Sequence, residues 1–493
     1  MEFIELADYP VSAGRVVEWQ PTARTHWADW PRDSRAVSYN HEHHLRDALE
    51  HSRIRDRRAY WLGNAFRIEG PLDTSAWQHA LDTLIDRHES LRSHVTIEGG
   101  RPARYTQPPG EIRVRPVDAG STASTMATYR LVERLLDEGT TPTRWPAYVC
   151  VTIENRGGFT VLIAADHSLV DGYSTGIIGS ELPRLYAAAV TGEDTLAPQS
   201  ESGGYLDYCH GERAFADAAT VETAGVRIWR EFFDEADDGS EIAPATGPLA
   251  PTAPFSRVAA RPVALREGTH TAPRVPQRTL AIEVLDADAA DLAGAAAREK
   301  RQGLFAVLLA AFAATATEYG AGRDFRTVVP LHTRYEERWA ETVGWFVGLT
   351  PFHLDTAGAR GVAELIAPAG QELRRTRAAA AVPFGRVCEL LEVRPRISFM
   401  VSYMDVRAIP LARTWVDSDT RWLRSRNVSD NEFYFWFIRT PTGVTLNMRY
   451  PGTARATRDI HRHVLRMREL LADYVRFGDA TIRPIEGAPL SWR

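Results

Sequence analysis

Cysteine is scarce in this sequence. Its 493 residues hold three, Cys150, Cys209 and Cys388, widely separated and without a C-x-x-C pair. An odd, scattered set builds neither a disulfide framework nor a zinc site, and it suits a reducing compartment. A basic excess is also missing: 58 Lys and Arg stand against 64 Asp and Glu, for a net charge of -6. That balance argues against a nucleic-acid binder and against membrane attachment through a polybasic surface. The most apolar stretch, Leu304 to Ala316 (LFAVLLAAFAATA), falls short of the roughly 20 residues a bilayer span requires, so it predicts a buried helix. The start of the chain, MEFIELADYPVSAG, carries acids and no apolar core, unlike a signal peptide. These absences predict a cytoplasmic protein with no membrane span and no nucleic-acid partner.

What is present is core-forming material. A hydrophobic fraction of 44%, with 13 Trp and 18 Phe, favours large buried cores over disorder. The length exceeds what one core of typical size holds, which predicts two lobes. From Thr191 to Gly204 the composition shifts to Gly, Ser, Pro and acids. This predicts an N-terminal lobe over 1–190, a linker over 191–204 and a C-terminal lobe over 205–493. Residues 1–35, with Trp19, Trp27 and Trp30, read as an irregular strap over the surface. Residues 39–56 and 76–88 have apolar positions at helical spacing, the second run started by Asp73-Thr74-Ser75. LRSHVTIE and RPARYTQ, on either side of Gly99-Gly100, predict strand, turn, strand. Residues 122–138 predict an amphipathic helix. Residues 148–153 and 159–165 predict a hairpin turning at Asn155-Arg156-Gly157-Gly158. Its second arm, apolar on both faces, should be a central strand. The Pro- and Ala-rich stretch Ala236 to Gln277 predicts a surface excursion. The rest repeats the mixed pattern: a strand over 278–285, helices over 288–298 and 304–319, a strand ending near Pro330, the strands ISFMVSYM, FYFWFIRT and VTLNMRY, and a final helix.

The sharpest local feature is Asp166-His167-Ser168-Leu169-Val170-Asp171-Gly172. It follows the predicted central strand directly and precedes a helix. A His there is held on a rigid element yet emerges at the strand end, where a cleft can form. Gly172 permits a backbone conformation that other residues avoid and lets peptide groups approach a substrate closely. Taken alone, the pattern equally fits a buried His satisfied by a turn, followed by an Asp that caps the next helix.

Other segments narrow the choice. Arg87-His88-Glu89-Ser90-Leu91-Arg92 resembles an R-H-E-x-L-R motif. His167, Asp171 and Gly172 match the end of H-H-x-x-x-D-G. Asp171-Gly172-Tyr173-Ser174, with Glu181-Leu182 behind it, resembles D-G-W-S and its trailing E-L. Pro330 to Arg334 resembles a strand end carrying a motif Arg, and Val343-Gly344-Trp345-Phe346-Val347 resembles V-G-x-F-V. In this order the segments resemble the superfamily of nonribosomal-peptide condensation domains and HxxxD acyltransferases. VVEWQP, VSYNHEHHL, GWFVGLTP and Val382-Pro383-Phe384 leading to RPRISFMVSYMD look most like the polyketide-associated acyltransferases of actinobacteria. The sequence departs from the pattern at the first motif His, which is Asp166 here. Neighbouring side chains on a strand point to opposite faces, so Asp166 is expected to face away from the cleft as a structural residue.

The resemblance implies an α/β fold: two chloramphenicol-acetyltransferase-like lobes, each an α+β two-layer sandwich, meeting in a V around a central tunnel. It implies an acyltransferase, acting in lipid, polyketide or nonribosomal peptide biosynthesis. The acyl group passes from a thioester, on an acyl carrier protein or CoA, to a small-molecule alcohol or amine. His has the intrinsic pKa to take the acceptor's proton near neutral pH, which makes His167 the candidate general base. The peptide N–H near Gly172 is the candidate donor to the oxyanion. Asp171 could orient His167, as in a triad; the family instead implies an ion pair with Arg334 that keeps the loop in shape. The resemblance implies no cofactor, no metal and a monomer. Rival readings are a freestanding amide-forming condensation enzyme and a non-catalytic carrier-protein docking module.

Remaining candidates are weaker. His41, His43 and His44 lack a matched carboxylate or Cys set and read as surface residues of a helix. His88 reads as structural. Gly320-Ala321-Gly322 is too short for a phosphate loop and reads as a helix cap. The runs Arg374, Arg375, Arg377 and Arg421, Arg424, Arg426 read as solvated faces, able to meet an acidic carrier protein or CoA phosphates.

Overall fold

The computed structural model describes residues 1–53, 59–193, 204–234, 275–320, 323–393, 395, 397–429 and 431–483. The chain forms two compact units, each built on its own seven-stranded sheet. Unit 1 comprises Met1–Asp217, Arg334–Phe346 and Val406–Asn427; unit 2 comprises Ala218–Thr333, Val347–Asp405 and Val428–Arg493. Residues 194–203 of the predicted linker over 191–204 lie outside the described residues. The units do not divide there: unit 1 continues to Asp217 and takes back two later segments. Packing, not chain order, makes that assignment. Tyr205, Leu206, Tyr208 and Cys209 form one buried cluster with Trp339 and Phe346, more than a hundred residues later.

In unit 1 the strands are β1 (Phe3–Glu5), β2 (Arg15–Ala23), β3 (Trp61–Glu69), a separate hairpin of β4 (Ser93–Glu98) and β5 (Arg101–Thr106), β6 (Ile112–Ser121), β7 (Tyr148–Asn155), β8 (Gly158–Asp166) and β13 (Arg421–Arg424). The sheet order is β1-β13-β3-β8-β7-β2-β6. Its helices are α1 (Tyr39–Arg53), α2 (Thr74–Arg87), α3 (Thr125–Gly139), α4 (Gly172–Thr191) and α5 (Tyr205–Ala218). Two apolar clusters form on this sheet. One holds Trp77, Leu81, Phe159 and Ile178; the other holds Val16, Val132, Leu136 and Leu162.

The expected surface strap over residues 1–35 is corrected. β2 lies inside the sheet, between β6 and β7, and Trp19 is buried with its indole N–H donating to Thr152 Oγ1 at 2.9 Å. The expectation failed because Pro21 and the flanking polar residues read as irregular, whereas Val16 is buried in one apolar cluster, Val17 and Trp19 in the other, and the strand gains a neighbour on each edge. β8 is the central strand expected, buried at all nine positions and paired antiparallel to β3 and β7. The β7–β8 turn needs both glycines for different reasons. Gly157 takes φ +84°, while Gly158 approaches β3 so closely that a Cβ would lie 2.3 Å from the Ile68 carbonyl oxygen.

Unit 2 contains β9 (Val275–Asp286), β10 (Asp324–His332), β11 (Val347–Asp355), β12 (Phe399–Asp405), β14 (Val428–Ser429), β15 (Phe433–Thr440) and β16 (Gly443–Pro451), in the order β11-β10-β12-β15-β16-β9-β14. Its helices are α6 (Ala224–Asp234), α7 (Ala287–Glu299), α8 (Leu304–Glu318), α9 (Val362–Thr376), α10 (Phe384–Leu390) and α11 (Ala454–Phe477). The apolar α8 is buried on nearly every side, as an all-round hydrophobic helix must be. Phe312 sits at its centre, against Phe325, Phe399 and Phe435. β10 runs two residues past Pro330. Gly320 takes φ +78° just beyond α8, whereas Ala321 and Gly322 lie outside the described residues. So does nearly all of the predicted excursion over 236–277.

Arg424 corrects the reading of its run as a solvated face. It is buried on β13, with its guanidinium 5.0 Å from the Phe3 ring centroid. Arg421 pairs with Glu2 at 2.7 Å.

Candidate active site

All the residues of the candidate site lie in unit 1. β8 ends at Asp166, where pairing to Trp61 stops, and the chain turns at once into α4. His167 therefore sits on the last rigid point of the central strand. Its backbone N–H donates to the Tyr60 carbonyl at 2.9 Å. Its side chain is partly exposed, but Nδ1 is buried, with no partner in hydrogen-bond geometry among the described residues. That leaves Nε2 as the nitrogen able to face a reactant. Burial lowers the His167 pKa. Its own backbone carbonyl works the other way, His44 lowers it further, and Asp166 and Asp171 offset part of the fall. The ring is thereby biased toward the neutral form that can accept a proton.

Asp171 is the N-cap of α4. Its Oδ1 accepts the Ser174 N–H at 2.7 Å and lies 3.2 Å from Arg334 Nη2; its Oδ2 accepts the Phe346 N–H at 3.0 Å. Ser174 tightens the same junction. Its hydroxyl donates to the Gly344 carbonyl at 2.8 Å, and accepts from the Gly344 N–H at 3.1 Å and from Arg334 Nη2 at 2.8 Å. The Arg334 guanidinium lies 4.1 Å from the Phe346 ring centroid. The acceptor sites of Asp171 thus serve the helix end and the 334–346 segment. The structure brings Asp171 and Arg334 together and gives His167 no hydrogen bond from Asp171. Gly172 corrects one expectation: it is the first residue of α4 and is not among the glycines of positive φ. Left-handed backbone is therefore not what the position requires.

The latched segment carries Trp345 onto the His167 ring, at 4.4 Å between centroids and 37° between planes. Sequence reasoning placed Trp345 in a motif but gave it no role. It also missed His44. On α1, His41 and His44 share the buried face and His43 points outward, which corrects the surface reading for the first two. His44 Nε2 lies 3.0 Å from Asp166 Oδ1 and 3.1 Å from Oδ2, with the side chains 13% and 1% exposed. Burial opposes the charge on His44, but Asp166 holds its pKa above the ordinary value, helped by Asp47. Burial likewise opposes the Asp166 carboxylate, yet His44 and the Ser168 N–H at 2.9 Å keep its pKa below the usual range. A signal was available in the sequence. An acid at the end of a buried strand needs a cation or several donors, and His41 and His44 share a helix face by their i, i+3 spacing.

His88, Arg87 and Glu181 form a buried knot between α2 and α4, with His88 Nε2 2.8 Å from Glu181 Oε2 and Arg87 Nε on Oε1. The R-H-E segment and the trailing E-L are thus partners in packing. No helix among the described residues is long and apolar enough to cross a membrane. Among the same residues, no three His, Cys, Asp or Glu are grouped so as to hold a metal ion.

Comparison with known proteins bears on the family and the fold. The sequence profile of the condensation domain matches residues 51–486. The acyltransferase PapA3 of Mycobacterium tuberculosis is 25% identical over 491 residues, covering 94% of this chain and 95% of that protein. The trehalose-2-sulfate acyltransferase PapA2 of the same organism is 23% identical over 493 residues, covering 98% of each chain. The solved structure of a PapA2 acyl transferase superposes with a TM-score of 0.80 at 21% identity, covering 96% of this chain and 100% of that one.

Proposed function

This chain belongs to the condensation-domain family and is an acyltransferase, and we propose that His167 is its general base in transferring an acyl group from a thioester to an acceptor hydroxyl. The observation that carries the reading is the setting of His167. A partly exposed imidazole with one nitrogen buried stands at the end of the central strand, beside the N-terminus of α4.

The chemistry follows from that setting. Nε2 takes the proton of the acceptor hydroxyl as its oxygen attacks the thioester carbonyl carbon. The carbonyl oxygen becomes an oxyanion, for which the Gly172 N–H and the positive end of the α4 dipole are suited. The C–S bond then breaks, the imidazolium returns the proton to the leaving sulfur, and ester and free thiol are released. General-base assistance of this kind contributes about 10²–10⁴-fold. Asp171 and Arg334 have no part in the proton path; they hold the α4 terminus and the Trp345 segment in register. The donor is an acyl carrier protein or acyl-CoA thioester and the acceptor a small-molecule alcohol of lipid or polyketide assembly, in the cytoplasm. An alcohol is favoured over an amine because a related enzyme is named for acylating a sugar sulfate.

Intact-mass spectrometry tests this. Acyl-loaded carrier proteins and acyl-CoAs are incubated with wild type or His167→Ala and a pool of alcohols and amines. Deacylation of one donor with gain of the acyl mass on an alcohol, by wild type alone, is expected. Equal turnover by both proteins overturns His167 as base. Acyl mass gained on amines alone replaces the ester reading with amide formation.

A further inference from the structure

His44 has two aromatic neighbours, and each of them also touches His167. Tyr60 meets the His44 ring edge to face, at 5.7 Å and 77°, while its carbonyl accepts the His167 N–H at 2.9 Å. Trp345 meets the His44 ring at 5.8 Å and 90°, while its own face lies 4.4 Å from the His167 ring. His44 is itself immobilised, because both carboxylate oxygens of Asp166 lie within 3.1 Å of its Nε2. Asp166 is the residue directly before His167. The strand end thus reaches out to α1 through its acid, and α1 returns to the adjoining residue through the Trp345 ring.

We propose that His44 is a positioning residue for acyl transfer: clamped by Asp166, it holds Trp345 where the indole fixes the orientation of the His167 ring. The inference rests on the reading of His167 as base and adds to it the means by which that base is aimed. A base whose ring has no polar partner beyond its own backbone carbonyl is free to turn about its side-chain bonds unless its faces are held. Trp345 covers one face, and His44 stops that indole from swinging aside. The same arrangement has an electrostatic effect, since a charged His44 opposes protonation of His167. The charged and titratable groups around the pair are few. Asp166 from β8 and Asp47 from α1 face His44, and His44, Asp166 and Asp171 face His167. His41, also on α1, is held neutral by burial, with its pKa lowered to about 3 by that burial and by Arg104 of β5.

The test uses the full chain with His44→Gln, Asp166→Asn, the double variant, Trp345→Phe and His167→Ala. Each is first shown to melt cooperatively. Loss of aim at the reacting centre is expected to lower kcat by about 10–100-fold in His44→Gln while KM changes little. The acid limb of kcat/KM is expected to move to higher pH, as the base loses a neighbouring cation and keeps a neighbouring anion. The double variant is expected to be no slower than the worse single one, because the two residues act as a unit. Trp345→Phe, which keeps a ring but shortens its reach to His44, is expected to lose less than His44→Gln. A second readout is independent of turnover. In protein labelled with 15N-histidine, the His44 imidazole should titrate above the ordinary His value in the wild type and at lower pH in Asp166→Asn. Wild-type kcat and an unmoved acid limb in His44→Gln, with His167→Ala inactive, overturn the positioning role and leave the base reading standing. A His44 that titrates no higher in the wild type than in Asp166→Asn overturns the clamp. Full activity of His167→Ala overturns the base reading itself, while the 15N titration still decides the clamp.

Discussion

Oδ2 of Asp171 accepts the backbone N–H of Phe346 at 3.0 Å, across 175 residues of sequence. With Oδ1 on Ser174 and Arg334, one carboxylate caps a helix, neutralises a buried guanidinium and anchors the segment that presents Trp345. Removing its charge should therefore act first on stability. We expect Asp171→Asn to lose about 3–5 kcal/mol, because it leaves Arg334 buried without its counter-charge. Adding Arg334→Met should restore part of that loss. Denaturant titration of the single and double variants checks it, and a coupling of less than about 0.5 kcal/mol would show that the two residues act independently.

The His44–Asp166 pair makes stability depend on pH in a defined direction. The His44 pKa is raised above the ordinary 6.5. Its contribution is fully present below pH 6.5 and lost as pH rises through the raised value. The Asp166 pKa is lowered below 3.8, so its contribution is present above that pH and lost as pH falls through the lowered value. The pair thus stabilises most between about pH 4 and 6.5. Thermal melts should show the gap between wild type and His44→Gln narrowing as pH rises above 6.5 and through the raised His44 value. A gap that widens with pH would contradict the assignment.

Unit 2 offers the opposite slope. His463 is fully buried on α11 against Phe312, at 4.4 Å, with both ring nitrogens unpartnered among the described residues and its pKa pushed down to about 3 by burial. The unfolded chain binds a proton there that the folded chain refuses, so stability falls as pH drops from 6.5 toward 3. His463→Leu, close in volume, should stabilise the protein by about 1–2 kcal/mol at pH 7 by removing a polar group that burial leaves unsatisfied. The gain should grow at pH 5. Urea titrations at the two pH values measure both effects.

Burial of His167 beneath Trp345 predicts a low acid limb. kcat/KM of the wild type should decline only below pH 6.5, since burial lowers the pKa of the base. Trp345→Ala opens that face to water, and its acid limb should move up toward the ordinary His value. An acid limb unchanged in Trp345→Ala would mean that the indole does not desolvate the base.

Much of this protein is legible in one dimension. The apolar run of β8, the glycines of its turn and the Asp-capped start of α4 are local signals, and their alternation and spacing place His167 at a strand end. The all-apolar α8 announces a buried helix in the same way. Other features depend on partners that local pattern does not name. β2 became a sheet strand because β6 and β7 flank it. Arg424 left the solvent because β13 pairs with β3. The unit boundary followed the packing of Tyr205, Tyr208 and Phe346, not the change in composition near residue 200. Asp166 and His44 are separated by 122 residues, and each alone reads as an ordinary polar residue. Sequence by itself determined where the base could stand, because strand and helix periodicity are local. Tertiary structure decided what surrounds it, because the desolvation of Asp166 is satisfied only by a group that folding brings from another helix.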